Sequence, residues 1–205
     1  MLARIFGSYN MWRPGMAIDG GTYVFGSDHG RLSLHTGRTG LGRRAGHDLT
    51  IEASSWQGRA SVDTTEPASS SVAMAVEVNS LKVVEGTGGL KPLTAGDRAE
   101  IVRALRGDQL LHTAKYPDIR FVSTHISGSP DAFALHGDLS IVGRTRPITV
   151  DCTMIGARRV QGSAIVALSR WGIGPYSVFI GALKLADEVG VEFETELVPT
   201  EAGMP

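Results

Sequence analysis

The sequence predicts an all-β, mainly antiparallel fold, a sandwich or a closed barrel, with one amphipathic helix between strands. Three observations carry this. Apolar residues recur at every second position between Ile119 and Leu197: Ile119 and Phe121; Phe133, Leu135, Leu139 and Ile141, with the phase kept through Gly137; Ile148, Val150, Cys152 and Met154; Ala164, Val166 and Leu168; Val191 and Phe193. A period of two places one face of a strand in a core and the other in water. Short turns separate most of these stretches, as in sandwiches and barrels. Only one segment changes to helical spacing. If the strands close into an eight-stranded barrel, its interior is just wide enough for one small apolar ligand.

The elements follow in order. Residues 1–21 read as an arm punctuated by Pro14-Gly15 and Gly20-Gly21, with Trp12 to pack on something. Thr22–Phe25 is a short strand. Asp28 and Gly30 supply turn chemistry. Arg31–Thr36 alternates, with Leu32 and Leu34 on one face and Ser33 and His35 on the other. Gly37–Gly46 is a glycine-rich loop. Leu49–Val62 is a long strand whose uneven alternation predicts a bulge or bend near Ser55–Gly58. Glu66–Ser70 turns at Pro67, and Ser71–Val78 puts Val72, Met74, Val76 and Val78 on one face. Gly86–Pro92 reads as a loop.

The period then changes. Asp97 with Glu100 three residues on predicts a capping box, with Asp97 as the cap. Ile101, Val102 and Leu105 follow at helical spacing, and Gly107 ends the helix. Asp108 is read as the cap of one further turn carrying Leu110 and Leu111. The apolar stripe predicts a helix lying over an open barrel end or along its flank. Tyr116-Pro117 forces extended backbone. The late strands come next, and Ser169–Lys184 is less regular, with Trp171, Pro175, Tyr176 and Phe179.

Bulk properties exclude several functions. The 205 residues suffice for one substantial core, and 20 basic against 21 acidic residues give a formal net charge of -1. No single-sign field draws the chain to nucleic acid. Arg38, Arg43 and Arg44, followed by Asp48 and Glu52, read as a solvated turn. One cysteine, Cys152, makes no internal disulfide. No stretch approaches the roughly 20 apolar residues of a membrane span. The start MLARIFGSYNMWRPGM has no apolar run of a secretory signal, so the expected location is cytoplasmic.

Three motifs carry a family resemblance. KYPDIRF (Lys115–Phe121), GDLSIVGRTRPITV (Gly137–Val150) and SRWGIG (Ser169–Gly174) resemble, in the same order, motifs of the YceI-like family. The second is the most specific. Where relatives often carry a histidine-serine pair before the second strand, this chain has Asp28-His29-Gly30. The resemblance covers about residues 22–198 and leaves 199–205 as a tail. It implies an eight-stranded, lipocalin-like extended barrel with helix packed against it and a long apolar tunnel for a polyisoprenoid lipid. Dimers are common in the family, so a homodimer is expected.

The candidate tunnel lining is the inward set: Leu32, Leu34, Ile51, Val72, Met74, Val76, Phe121, Leu139, Ile141, Val150, Met154, Val166, Leu168 and Phe193, with Trp171 closing or bending the tunnel. The same side chains would serve merely to fill a core. Small residues within strands, among them Ala164, Gly137 and Gly162, favour open space. His35, Arg44 and His47 are candidates to orient a head group, with Asp48 fixing the His47 tautomer.

The rival reading is a histidine-centred, metal-dependent enzyme. It requires at least three of His29, His35, His47, His125 and His136 to converge, although no close H-x₃₋₅-H pair exists. There is no G-x-S-x-G elbow for a nucleophile. Cys152, in the inward phase, reads as a small buried hydrophobe. No catalytic residue, cofactor or metal is assigned. Glu192, Glu194 and Glu196 read as a solvated column that discourages edge pairing.

Overall fold

A computed structural model describes residues 18–178 and 183–200. The expected N-terminal arm through residue 17, with Trp12, and Phe179 lie outside the described residues, as do residues 201–205.

The alternating stretches form one antiparallel sheet of thirteen strand segments. In chain order these are β1 (Gly21–Gly26), β2 (Gly30–Thr39), β3 (Asp48–Ala53), β4 (Trp56–Val62), β5 (Ser71–Glu77), β6 (Leu81–Thr87), β7 (Asp118–Gly128), β8 (Ala132–Ile141), β9 (Arg144–Met154), β10 (Arg159–Ala167), β11 (Ser177–Val178), β12 (Leu183–Glu196) and β13 (Val198–Pro199). Twelve lie on one path, β13-β1-β4-β5-β7-β8-β9-β10-β12-β2-β3-β6, and β11 pairs with β12. β12 pairs β10 on one side and β2 on the other, while β13 pairs β1. The sheet therefore curls round onto its own first strand. Thr200 joins this seam, its N–H donating to the Thr22 carbonyl.

The expected eight strands are thus corrected to thirteen segments. The physical reason is kinking. Ser54 and Ser55 separate β3 from β4, close to the expected bend. A 3-10 turn, Val78–Ser80, separates β5 from β6. The turn after Gly26 separates β1 from β2, and Ser27 N–H there donates to the Trp56 carbonyl. The Ser80 hydroxyl holds its own kink by donating to the Glu77 carbonyl at 2.7 Å. β6 itself was not foreseen. Its Val84 points outward, 43% exposed, and breaks the apolar alternation of Leu81 and Val83.

The helix α1 (Ala95–Arg106) starts earlier than expected. Thr94, not Asp97, is the cap: its hydroxyl accepts the Asp97 N–H at 3.1 Å, and the Asp97 carboxylate accepts the Thr94 N–H at 2.8 Å. The T-x-x-D box wins over the D-x-x-E one because it satisfies both orphan amides reciprocally. Gly107 ends α1 as expected. Leu110 and Leu111 are buried in a non-helical turn rather than a second helical turn, since the Leu111 N–H folds back to the Leu105 carbonyl.

Two further readings change. The glutamate column is not on an edge, because β12 is paired on both sides. Glu194 pairs with Arg159, Glu196 with Arg158 at 3.6 Å, and Glu192 faces His35 at 3.4 Å. Arg38 is not merely solvated. It bonds the Gly46 and Thr87 carbonyls and lies 3.6 Å from Asp48, tying the glycine-rich loop to β6.

The two C-terminal family motifs clasp each other. A 3-10 turn, Leu168–Trp171, ends at Gly172 in the left-handed region, φ 72°. The Trp171 indole N–H donates to the Leu139 carbonyl at 2.9 Å. Arg146 donates to the Arg170 carbonyl at 3.1 Å, and Arg170 to the Pro147 carbonyl at 2.9 Å. Asp187 accepts both the backbone and hydroxyl of Ser169 at 2.7 Å.

Candidate functional site

The inward faces do not meet in the middle. They enclose a cavity of about 570 Å³, within the roughly 300–1,000 Å³ typical of small-molecule sites. Thirteen expected residues line it: Leu32, Leu34, Ile51, Val72, Met74, Val76, Phe121, Leu139, Ile141, Val150, Val166, Leu168 and Phe193. Leu105 of α1 and the turn residues Leu110 and Leu111 also line it, so the helical region contributes wall as well as support.

Two expected lining residues stand elsewhere. Met154 is 3% exposed and Trp171 fully buried, yet neither lines the cavity. Trp171 is a structural plug in the motif clasp. Phase identifies the buried face of a strand but not the depth at which the lumen ends.

Two glycines explain how aromatic residues leave room. A Cβ at Gly137 would lie 2.6 Å from the Phe121 ring, and one at Gly162 would lie 2.5 Å from the Phe193 ring. Gly162 is directly opposite Phe193 across β10 and β12. Each ring settles against bare backbone, a close approach that only glycine permits.

None of the three head-group candidates lines the cavity. His35 points to Glu192 on the outer face. Arg44 is exposed in a 3-10 turn. His47 Nε2 lies 2.7 Å from the Lys91 carbonyl, while Asp48 engages Arg38 instead. These positions face outward or lie in the Gly40–Gly46 loop region, where sequence alone gave no depth.

The polar rim comes from residues the sequence did not single out. Ser61, Asp63, Thr64, Ser70 and Ser71 border the cavity, together with Ser127 near the end of β7 and Ser129 from the β7–β8 turn. The 3-10 turn Pro67–Ser69 packs against β7 and brings the two groups together. Hydrogen bonds from Thr65 and Glu66 hold the Asp63 carboxyl below the usual carboxylate range, so the rim carries an anionic charge at neutral pH. Among the described lining residues Asp63 is the only charged one.

Cys152 lines the cavity and is 4% exposed. Burial, reinforced by the Asp151 charge, pushes its thiol up to about 12. The folded state therefore holds the proton more tightly than the unfolded chain, whose value is near 9.0. Any stability from this group is present below about 9 and lost as pH rises toward about 12. A disulfide reagent at pH 8 should label Cys152 only after urea unfolding. Rapid labelling of the native protein would contradict this environment.

The histidines converge only as a pair. His125 and His136 stack across β7 and β8 with ring centroids 4.1 Å apart. His136 is within 2.9 Å of the Ser127 hydroxyl and 3.1 Å of that of Thr149. Among the described residues no group of three or more His, Cys, Asp and Glu side chains is placed to hold a metal ion.

Architecture and site together define an antiparallel, barrel-like protein with a ligand-sized apolar interior. The match to known proteins is equally definite: the YceI-like domain model spans residues 23–197, and the chain belongs to that family. A YceI protein of Escherichia coli is 38% identical over 60 residues, 29% of this chain and 31% of that protein, so the chain spans about a third of that relative. A Yersinia pestis relative is 27% identical over 101 residues, 49% of this chain and 46% of that one. Among solved structures, Burkholderia cenocepacia BcnA gives a TM-score of 0.62 at 19% identity, covering 83% of this chain and 96% of its own. A polyisoprenoid binding domain from Saccharophagus degradans gives 0.53 at 10% identity, covering 89% and 100%. Both structures show the fold.

Proposed function

We propose that this protein binds and carries, or sequesters, a long apolar lipid of the polyisoprenoid class, without catalysing a reaction on it. The observation that carries the reading is the interior cavity, walled by aliphatic and aromatic side chains. Family membership and the polyisoprenoid binding domain of similar fold support the ligand class. Among the described residues no helix is long and apolar enough to cross a membrane.

The energetics are adequate. Burying hydrocarbon gives about 0.8 kcal/mol per CH₂ group, so one five-carbon unit gives roughly 3–4 kcal/mol. Association costs roughly 4–15 kcal/mol. A few units overcome that cost with no charged contact. Selection then falls on chain length and girth.

Native mass spectrometry of freshly purified protein should show a bound species that organic extraction removes, and the extract should contain an isoprenoid chain. Protein that is ligand-free and refuses added long-chain isoprenoids would overturn the reading.

A further inference from the structure

Outside the barrel, charge is sorted more sharply than the near-neutral total implies. β6 ends the path of the sheet, so one of its edges has no strand partner. α1 packs against β6, and a groove runs between the two elements. Four of its lining residues are cationic: Lys82 from β6, and Arg98, Arg103 and Arg106 from α1. The rest of its described lining is apolar or glycine, with no Asp or Glu. Arg106 stands at i+8 from Arg98 and i+3 from Arg103, so one side of the helix carries all three. Asp97 and Glu100 belong to the same helix but lie outside the groove.

Two of the four heads are held in place. Arg98 Nη1 donates to the Val83 carbonyl at 3.0 Å, and Arg106 Nη2 to the Asn79 carbonyl at 2.7 Å. A guanidinium has five N–H donors, so each keeps several for a ligand. Counter-ions are missing. Among the described residues no carboxylate pairs with any of the four, whereas Arg31, Arg38, Arg120, Arg158 and Arg159 each have one. Like charges gathered in one groove repel each other, and an anion placed among them relieves the repulsion. An ordinary solvated face has its cations dispersed and free to swing; here they converge from two elements, and two are tethered beforehand.

The donors suit phosphate. Its oxygens accept from several directions at once, and arginine forks meet it bidentately. A nucleic acid is disfavoured, since the groove offers no aromatic ring for a base to stack on. We infer that the α1–β6 groove is an anion site that takes a phosphate group, carried either by a lipid head at a bilayer surface or by a small solute. None of the four cations lines the interior cavity, so this site is separate from the one that holds the apolar chain.

The test compares three full-length proteins: wild type, the groove variant Lys82→Gln/Arg103→Gln, and the control Arg59→Gln/Lys184→Gln. Lys82 and Arg103 are exposed and, unlike Arg98 and Arg106, tether no backbone carbonyl. The control removes the same charge from exposed positions outside the groove. One probe is inorganic pyrophosphate, titrated by calorimetry at low salt. The other is phosphatidylcholine vesicles containing phosphatidylglycerol, read by cosedimentation against phosphatidylcholine alone. Wild type and control should bind at least one probe alike, and the groove variant should bind it about tenfold or more weakly, the effect of losing two cations. Pyrophosphate binding supports a solute phosphate; binding to the anionic vesicles alone supports a lipid head. If the groove variant does not fold, wild-type amide resonances of Arg98–Gly107 should still move with pyrophosphate or with soluble short-chain phosphatidylglycerol, while those of β9 stay in place. Wild type that binds neither probe, a groove variant that binds as well as the control, or unmoved α1 resonances would overturn the inference. Interior lipid content should be equal in all three proteins, so failure here leaves the lipid-binding reading standing.

Discussion

Replacing Trp171 with alanine should destabilise the fold by about 3–5 kcal/mol, the usual cost of deleting a large buried aromatic side chain. Urea unfolding followed by far-ultraviolet circular dichroism would measure it. Three losses combine. A fully buried indole disappears and leaves a void. Its N–H no longer reaches the Leu139 carbonyl. The Arg170 guanidinium, 5.4 Å from the ring centroid, loses the face it lies over. Because Trp171 does not line the cavity, whatever protein remains folded should keep its lipid affinity. A shift below about 1 kcal/mol would show that the clasp between the two motifs is not what holds this end of the sheet.

The second large effect is on binding. Val150 is half-buried, lines the cavity and sits opposite Leu135 across β8 and β9. Val150→Trp places an indole in the lumen. If it displaces even one five-carbon unit of the ligand, roughly 3–4 kcal/mol of burial is lost, a fall of more than a hundredfold in affinity. Overpacking elsewhere costs about 1–3 kcal/mol, and an existing void reduces that. The variant should therefore unfold cooperatively near the wild-type midpoint yet emerge from purification without lipid. Undiminished lipid stoichiometry in native mass spectra would place the ligand somewhere other than the interior.

Much of this site was legible because strands write their orientation into sequence. Leu32, Leu34, Val72, Met74 and Val76 share one phase, and that phase faces the lumen. The period cannot report how far along the axis the lumen extends, which is why Met154 falls outside it, and Trp171 lies in a 3-10 turn, where no strand period applies. β6 escaped notice because outward Val84 follows inward Val83 and blurs the alternation. The hydroxyl rim was illegible for another reason. Thr64 and Ser129 lie far apart in the chain, in turns with no period, and only the packing of the Pro67–Ser69 turn against β7 makes them neighbours.

The Phe121 and Phe193 rings rest where Gly137 and Gly162 lack a side chain. The bore of the channel is consequently governed by single hydrogen atoms on the wall. A methyl group added at Gly162 would press on the Phe193 ring, and one at Gly137 would meet the Val122 carbonyl oxygen at 2.4 Å as well as the Phe121 ring. Branched chains have a wider cross-section than straight ones, so such a change would shut out methyl-branched guests before linear ones. The width of this interior is thus set in part from two backbone positions that do not line it.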